Sequence, residues 1–302
     1  MRIGVTGSTG FLGTALVAAL EGRGDDVVRF VRPSSASIKG QCVRWDPERG
    51  VIDDTDLAKV GGFDGVVNLA GTGIATHRWS TSYRQGVLTS RTAATTLLVE
   101  ALTAMTSGVG VLVSGSAIGY YGSRGDEMLT ETSTSGEDYV AQVCRGWEKA
   151  AAPFAHTGAS LALLRTGIVM GRDGGVLERL VPLFRTGMGG VIGSGRQWMS
   201  PISLRDQVAA MLWLIDHQLS GAFNVTAPEP CTNRQMTKCL ARALHRRALV
   251  RVPSLALKVA LGGELADNTV LTSQRVVPHA LLESGFRFTS NNIDEIVASA
   301  LT

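Results

Sequence analysis

The chain has 302 residues, 44% hydrophobic and 18% charged, with a formal net charge of +3. That balance suits one large α/β domain with a smaller appended lobe, and it excludes a disordered chain, which carries less apolar surface and more charge. Lysines and arginines are scattered and form no aromatic-interleaved stripe, which argues against a nucleic-acid partner, and no run reaches the roughly 18 apolar residues of a membrane span.

The first 170 residues alternate short apolar runs with amphipathic stretches, which predicts repeated βα units and a parallel sheet. In chain order, strands are expected at Arg2–Thr6, Val27–Val31, Gln41–Arg44, Gly65–Leu69, Gly110–Ser114 and Ser160–Arg165. Helices are expected at Phe11–Glu21, Thr81–Met105 and Glu137–Ala155, with a break near Ser90 as an alternative for the second. After Gly171 glycines crowd together and the alternation stops. Asp206–His217 reads as a helix with Ser203 as its N-cap, and Ala222–Val225 as a strand. Asn233–His245, Leu255–Leu261 and a last stretch from about Asn292 predict a helical lobe. The expected fold is therefore a Rossmann doubly wound parallel sheet (α/β) over residues 1–170, with 204–228 returning to it and 171–302 forming a smaller, mostly helical substrate-binding lobe.

The strongest motif is Gly7-Ser8-Thr9-Gly10-Phe11-Leu12-Gly13, which follows a strand and opens a helix. Gly7 permits the tight turn, Gly10 lets a pyrophosphate approach the backbone, and Gly13 lets the helix pack closely. The unpaired N–H groups at the helix start face the phosphates. At the end of the second strand, an NAD enzyme would place a carboxylate for the ribose 2′-hydroxyl. Val31 and Arg32 stand there instead, and a guanidinium grips a 2′-phosphate that a carboxylate would repel. NADP(H) is the cofactor this predicts. Asp46, beyond the third strand, is positioned to meet the adenine amino group, with a plain surface turn before Pro47 as the alternative. Asn68-Leu69-Ala70-Gly71 and Ser114 end later strands on the carboxyl edge, where ligands bind in open α/β sheets.

These residues, together with Arg78–Trp79, Ser90–Arg91, the segment Ser116-Ala117-Ile118-Gly119-Tyr120-Tyr121-Gly122, Trp147–Glu148, Arg165–Val169, Gly193-Ser194-Gly195-Arg196-Gln197-Trp198 and Asn224–Pro228, carry a resemblance. The chain resembles the YfcH-like epimerase family, a branch of atypical extended short-chain dehydrogenases/reductases. The resemblance implies NADP(H) contacts at Arg32, Leu69, Ala70, Arg91 and near Val169, and a possible homodimer. It departs where the family has Trp-Ile-His and this chain has Pro201-Ile202-Ser203, which removes a basis for carrying over substrate preference.

Short-chain reductases usually pair a Ser or Thr with Tyr-x-x-x-Lys, whose lysine lowers the tyrosine's pKa from about 10. Here Tyr139 is followed four residues later by Val143. Anchoring on Glu148, as in YxxxKxxxE, puts Cys144 at the lysine place and Val140 at the tyrosine place. The remaining candidates for proton transfer are Ser116 and Tyr120, with Tyr121 if the register slips, and the competing reading makes them loop hydroxyls that satisfy backbone groups. Arg78, Trp79, Arg196 and Trp198 are the substrate-side candidates. Cys42, Cys144, Cys231 and Cys239 show no CxxC spacing and read as reduced cytosolic thiols. Without an HExxH or a His–acid cluster no metal is expected, and without a signal peptide the expected location is cytoplasmic. The sequence thus points to an NADP(H)-dependent oxidoreductase or epimerase-like enzyme acting on a small carbonyl or hydroxyl substrate. The alternative is a non-catalytic NADP(H)-binding redox sensor or scaffold. A serine hydrolase would need GxSxG, which Thr6–Gly10 misses.

Overall fold

The computed structural model describes residues 1–33, 40–172, 174–248 and 250–301. Eight strands build the main sheet: β1 (Arg2–Thr6), β2 (Asp26–Val31), β3 (Cys42–Asp46), β4 (Val51–Ile52), β5 (Phe63–Asn68), β6 (Val109–Ala117), β7 (Ser160–Thr166) and β8 (Gly221–Val225). Their order is β8-β7-β6-β5-β1-β2-β3-β4, parallel throughout except for the short antiparallel edge strand β4. Strands covered on both faces need apolar residues at nearly every position, and β1 is buried from Ile3 to Thr6.

Helices α1 (Phe11–Gly22) and α6 (Leu204–Asp216) cover one face, where Leu16, Leu20, Met211, Leu214 and Ile215 pack against Ile3, Val5, Val113 and Leu164. The other face carries α2 (Asp54–Val60) and α3 (Thr81–Ala104), with Leu57, Leu98 and Leu102 against Phe30, Trp45 and Phe63. The break considered near Ser90 does not occur. The hydroxyls of Ser90 and Thr92 donate to the carbonyls of Val87 and Leu88 in the preceding turn, so they cost the helix no unpaired polar group. Helix α4 (Tyr139–Ala151) starts where Asp138 accepts from the Ala141 amide and gives way to a 3-10 turn containing Pro153.

The second lobe contains α5 (Gly175–Arg185), α7 (Asn233–Ala243), α8 (Ser254–Leu261), α9 (Gly263–Asn268), α10 (His279–Glu283) and α11 (Ile293–Leu301). Beside these run short ladders that the sequence did not reveal: Ile168–Gly171 with Pro201–Ser203, Gly190–Ile192 with Val250–Val252, Trp198–Met199 with Cys231–Thr232, and Arg275–Val276 with Met128–Leu129. The lobe is therefore mixed, and two of these ladders, 168–171 with 201–203 and 275–276 with 128–129, join it to the sheet domain. Ser203 caps α6 as expected. The wholly buried Asp206 carboxylate accepts from the Ser203 hydroxyl, from the Thr289 amide and hydroxyl, and from the Ser290 amide.

Candidate active site

The glycine turn is held from below. Thr6 donates its hydroxyl to the Asn68 side chain at 2.8 Å and accepts from the Leu69 and Ala70 amides, while Asn68 donates to Thr95. This buried network fixes the end of β5 against the end of β1. A Cβ on Gly7, whose φ is +63°, would stand 2.8 Å from the Leu69 carbonyl oxygen, and one on Gly13 would stand 2.1 Å from the Gly7 oxygen. Both positions therefore require glycine. A Cβ on Gly10 would stand 3.3 Å from the Gly7 carbonyl oxygen, a tight contact but a far milder one than at Gly13.

A cleft of about 540 Å³ opens over this turn, walled by Gly7–Gly10, Val31, Arg32, Trp45, Pro47, Glu48, Leu69–Thr72 and the α3 face around Ser90 and Ala93. Most of the expected cofactor residues meet here. Arg32 stands at the mouth with Glu48 3.3 Å away, and both side chains are more than half exposed, so the pair is weak. Asp46 is a correction: its carboxylate accepts from the Glu48 amide at 3.1 Å, capping its own turn, and its neighbours form the wall. Phe11 lies against Gly171, Gly174 and Gly175, which a Cβ would drive into its ring, and Leu12 lies half-buried behind it. Val169 sits in the Ile168–Gly171 ladder, packed on the core.

Arg91, on α3, packs against Gly71 of the cleft wall. Its Nη1 donates to the Thr72 and Val87 carbonyls, and its guanidinium lies 5.0 Å from the centroid of Trp147. Among the described residues no carboxylate pairs with it, and burial lowers its pKa. Trp147 lies on the β6 backbone where Gly115 lacks a side chain; a Cβ there would be 2.5 Å from the indole. Ser114 lies within β6, fully buried, its Oγ without a hydrogen-bond partner.

The proton-transfer candidates meet a group that the sequence reading passed over. Arg165, on β7, forms a forked pair with Glu148 on α4 at 2.8 and 3.0 Å. The Ser116 hydroxyl donates to the same Glu148 oxygen at 2.7 Å. Tyr120 stacks on the Arg165 guanidinium 3.6 Å from its ring centroid. Burial works to lower the pKa of Arg165, but the Glu148 hydrogen bonds and charge raise it on balance. Cys144 is neutral at ordinary pH, its thiol pushed up to about 12 by burial and by Glu148. Two cations act on the vacant lysine place on α4, Arg91 from α3 and Arg165 from β7, and of these Arg165 is the one joined to Glu148 and Tyr120.

Tyr121 is corrected as a candidate. It is fully buried, donates to Asn224 at 2.6 Å and accepts from Arg165 at 3.0 Å, so no face of it can meet a substrate. Burial pushes its pKa up to about 12. The four substrate-side candidates divide into two places. Arg78 donates to the last carbonyls of α8, and Trp79 stands edge-on to Tyr139. Trp198 donates to Asp126 at 2.8 Å and lies under Arg275, and Arg196 is exposed. No hydrogen bond or ring contact joins the two pairs among the described residues. Gln274 ties the second lobe to the Tyr120 segment by donating to the Ile118 and Gly122 carbonyls.

A parallel sheet ordered about β1, with a glycine turn pinned at its carboxyl edge, defines a dinucleotide-binding α/β protein of the extended short-chain dehydrogenase type. Residues 3–226 match the NAD dependent epimerase/dehydratase family and residues 252–300 match a domain of unknown function, DUF1731. The chain belongs to that epimerase/dehydratase family. It is 40% identical to an epimerase family protein of Mycobacterium leprae, over 99% of this chain and 95% of that one. It is also 36% identical to the chloroplastic SDR39U1 homolog of Arabidopsis thaliana, over 95% of this chain and 83% of the relative. Among solved structures, human epimerase family protein SDR39U1 with NADPH superposes with a TM-score of 0.88 at 28% identity, covering 99% of both chains. A nucleoside-diphosphate sugar epimerase from Corynebacterium glutamicum gives 0.80 at 34% identity, and the chain spans 58% of its length. No helix among the described residues is long and apolar enough to cross a membrane.

Proposed function

We propose that the protein is an NADP(H)-dependent oxidoreductase or epimerase-like enzyme acting on a small carbonyl or hydroxyl substrate. The observation that carries this reading is Arg32 at the mouth of the cleft, paired among the described residues only with the exposed Glu48, while the guanidinium of Arg91, which has no carboxylate partner among them, packs against Gly71 of the cleft wall. The cleft suits a dinucleotide: its floor is a turn where Gly10 leaves the backbone open, and a phosphate would supply the anion that Arg91 lacks. The human relative with NADPH supports the same cofactor. Gly7–Phe11 would hold the pyrophosphate, Arg32 the 2′-phosphate, and Leu69–Gly71 the ribose side. Bound there, the nicotinamide supplies a site to give or take a hydride.

The chain's own part is to hold and move a proton. Glu148, fixed by Arg165, orients the Ser116 hydroxyl, and Arg165 fixes the Tyr120 ring, leaving Tyr120 half-exposed as the group able to exchange a proton with a substrate oxygen. Calorimetry tests the cofactor half: NADPH should bind at least about tenfold tighter than NADH, as expected for one charge-assisted hydrogen-bonding partner. Arg32→Ala should erase that preference. NADH bound as tightly as NADPH by the native protein would overturn the reading.

Two observations favour a second reading, a non-catalytic NADP(H)-binding sensor or scaffold. Ser116 already donates to Glu148, and the lysine place holds a neutral thiol. That reading predicts that NADP+ and NADPH give different oligomeric states or partners in light scattering and pull-down, whereas turnover that falls with Tyr120→Phe supports the enzyme.

A further inference from the structure

Helix α8 is apolar, reading Ser-Leu-Ala-Leu-Lys-Val-Ala-Leu, yet none of its residues is buried, and Leu255 and Val259 are 71% and 69% exposed. It packs on α9, to which Lys258 adds an ion pair with Asp267. What secures its far end is Arg78, whose Nε and Nη2 donate to the carbonyls of Val259 and Ala260 at 2.7–3.2 Å. Arg84 pairs with Glu264 on α9, and Arg179 donates to the Ala75 carbonyl. The links from this corner of the lobe to residues 72–84 are thus polar and exposed. A helix with no buried side chain gives up little hydrophobic contact when it detaches, which places it at the low end of local stability.

Arg78 lies in the loop 71–80 that leaves β5, and Gly71 and Thr72 at the start of this loop line the dinucleotide cleft. The loop is tied to α3: the Ser90 hydroxyl accepts from the Thr72 amide, Arg91 donates to the Thr72 carbonyl, and Tyr83 donates to the Gly73 carbonyl. Arg91 uses Nη1 for this, and its Nε and Nη2 have no hydrogen-bond partner among the described residues. A ligand in the cleft meets Gly71, Thr72 and Ser90, which hold the start of this loop to α3, and so stiffens the loop on which α8 is anchored.

We propose that α8 is a detachable helix latched by Arg78, and that filling the dinucleotide cleft orders this helix through Thr72, Ser90 and the loop 71–80. The proposal rests on the NADP(H) reading above. The coupling is reciprocal, so a closed α8 also favours the filled cleft.

Hydrogen exchange of the full-length protein, with and without saturating NADPH, tests this, with the amides of α7 as internal reference. In the free protein, amides within 254–262 should exchange faster than those of α7. NADPH should slow them by about fivefold or more, the lower end of ordinary coupling between sites. Arg78→Ala, a substitution at an exposed side chain, should leave α7 exchange unchanged and make α8 exchange equally fast with and without NADPH. If NADPH binds by calorimetry and α8 exchange does not change, or if Arg78→Ala retains the slowing, the proposed coupling falls and the cofactor reading stands. If NADPH does not bind, both fall.

Discussion

At Gly13, α1 passes so close to the turn that an added Cβ would lie 2.1 Å from the Gly7 carbonyl oxygen, whereas at Gly10 the nearest atom is 3.3 Å away. The two glycines therefore serve different ends. Gly13→Ala forces backbone apart and should cost about 3 kcal/mol of stability, the upper range for overpacking. Gly10→Ala makes the milder contact, 3.3 Å from the Gly7 oxygen, so it should cost less stability than Gly13→Ala yet lose NADPH binding in calorimetry, because the ligand approaches the backbone there. Equal melting losses for the two variants would contradict this division. Tyr121 allows a test in the alkaline range. Its phenol titrates at 10.0 when unfolded and at about 12 when buried, so the native state keeps a proton that the unfolded chain gives up. The resulting stabilisation is complete below pH 10 and is lost as pH rises from 10 to 12, by about 3 kcal/mol in all. Tyr121→Phe should start less stable by roughly 1–3 kcal/mol for the lost hydrogen bonds and fall less steeply over that range in chemical denaturation. At this scale the glycines were legible because each has a conformational reason visible in the motif. Arg165 was not, since a lone arginine in an apolar run says nothing of the carboxylate that meets it from a helix seventeen residues earlier.

The contact between α4 and β7 turns on that carboxylate. Glu148 and Arg165 are 11% and 6% exposed, and either one left alone would be a buried, uncompensated charge. Glu148→Ala should cost about 3–5 kcal/mol, as breaking buried pairs does, while Glu148→Leu with Arg165→Met should cost much less than the two single changes added together. Additive losses in urea denaturation would show that the pair is not coupled. The pair also explains which elements the sequence could reveal. Strands β1, β5, β6 and β7 are long apolar runs covered on both faces, and their pattern is local. The ladders at 168–171, 190–192, 198–199 and 275–276 have two to four residues, too few for a period, and exist because a partner from far along the chain offers its backbone. Asp46 shows the same limit: its position suggested a ligand contact, but the turn at Pro47 and Glu48 uses the carboxylate locally.

Across the whole molecule, Asp206 joins the sheet domain to the end of the second lobe by accepting four hydrogen bonds, three of them from Thr289 and Ser290. Asp206→Ala would leave buried donors unpaired and should lower stability by about 3 kcal/mol, with faster amide exchange at Thr289 and Ser290 than elsewhere in the lobe. A variant with unchanged urea midpoint would show that the lobes are held together by other means. The change of pattern after Gly171 was readable in the sequence, but the interlocking of the segments on either side of it was not, because it depends on which loops the fold brings together.

The last strand of the main sheet has a consequence for how the protein is made. β8 is translated more than fifty residues after β7, and between them the chain builds α5, several ladders and α6. Until residue 225 has left the ribosome, β7 has an unpaired edge, Tyr121 has no Asn224 to accept its proton, and the apolar face under α6 is bare. The nascent amino-terminal half is thus sticky rather than independently foldable, and completion of the nucleotide-binding half waits on synthesis of much of the other.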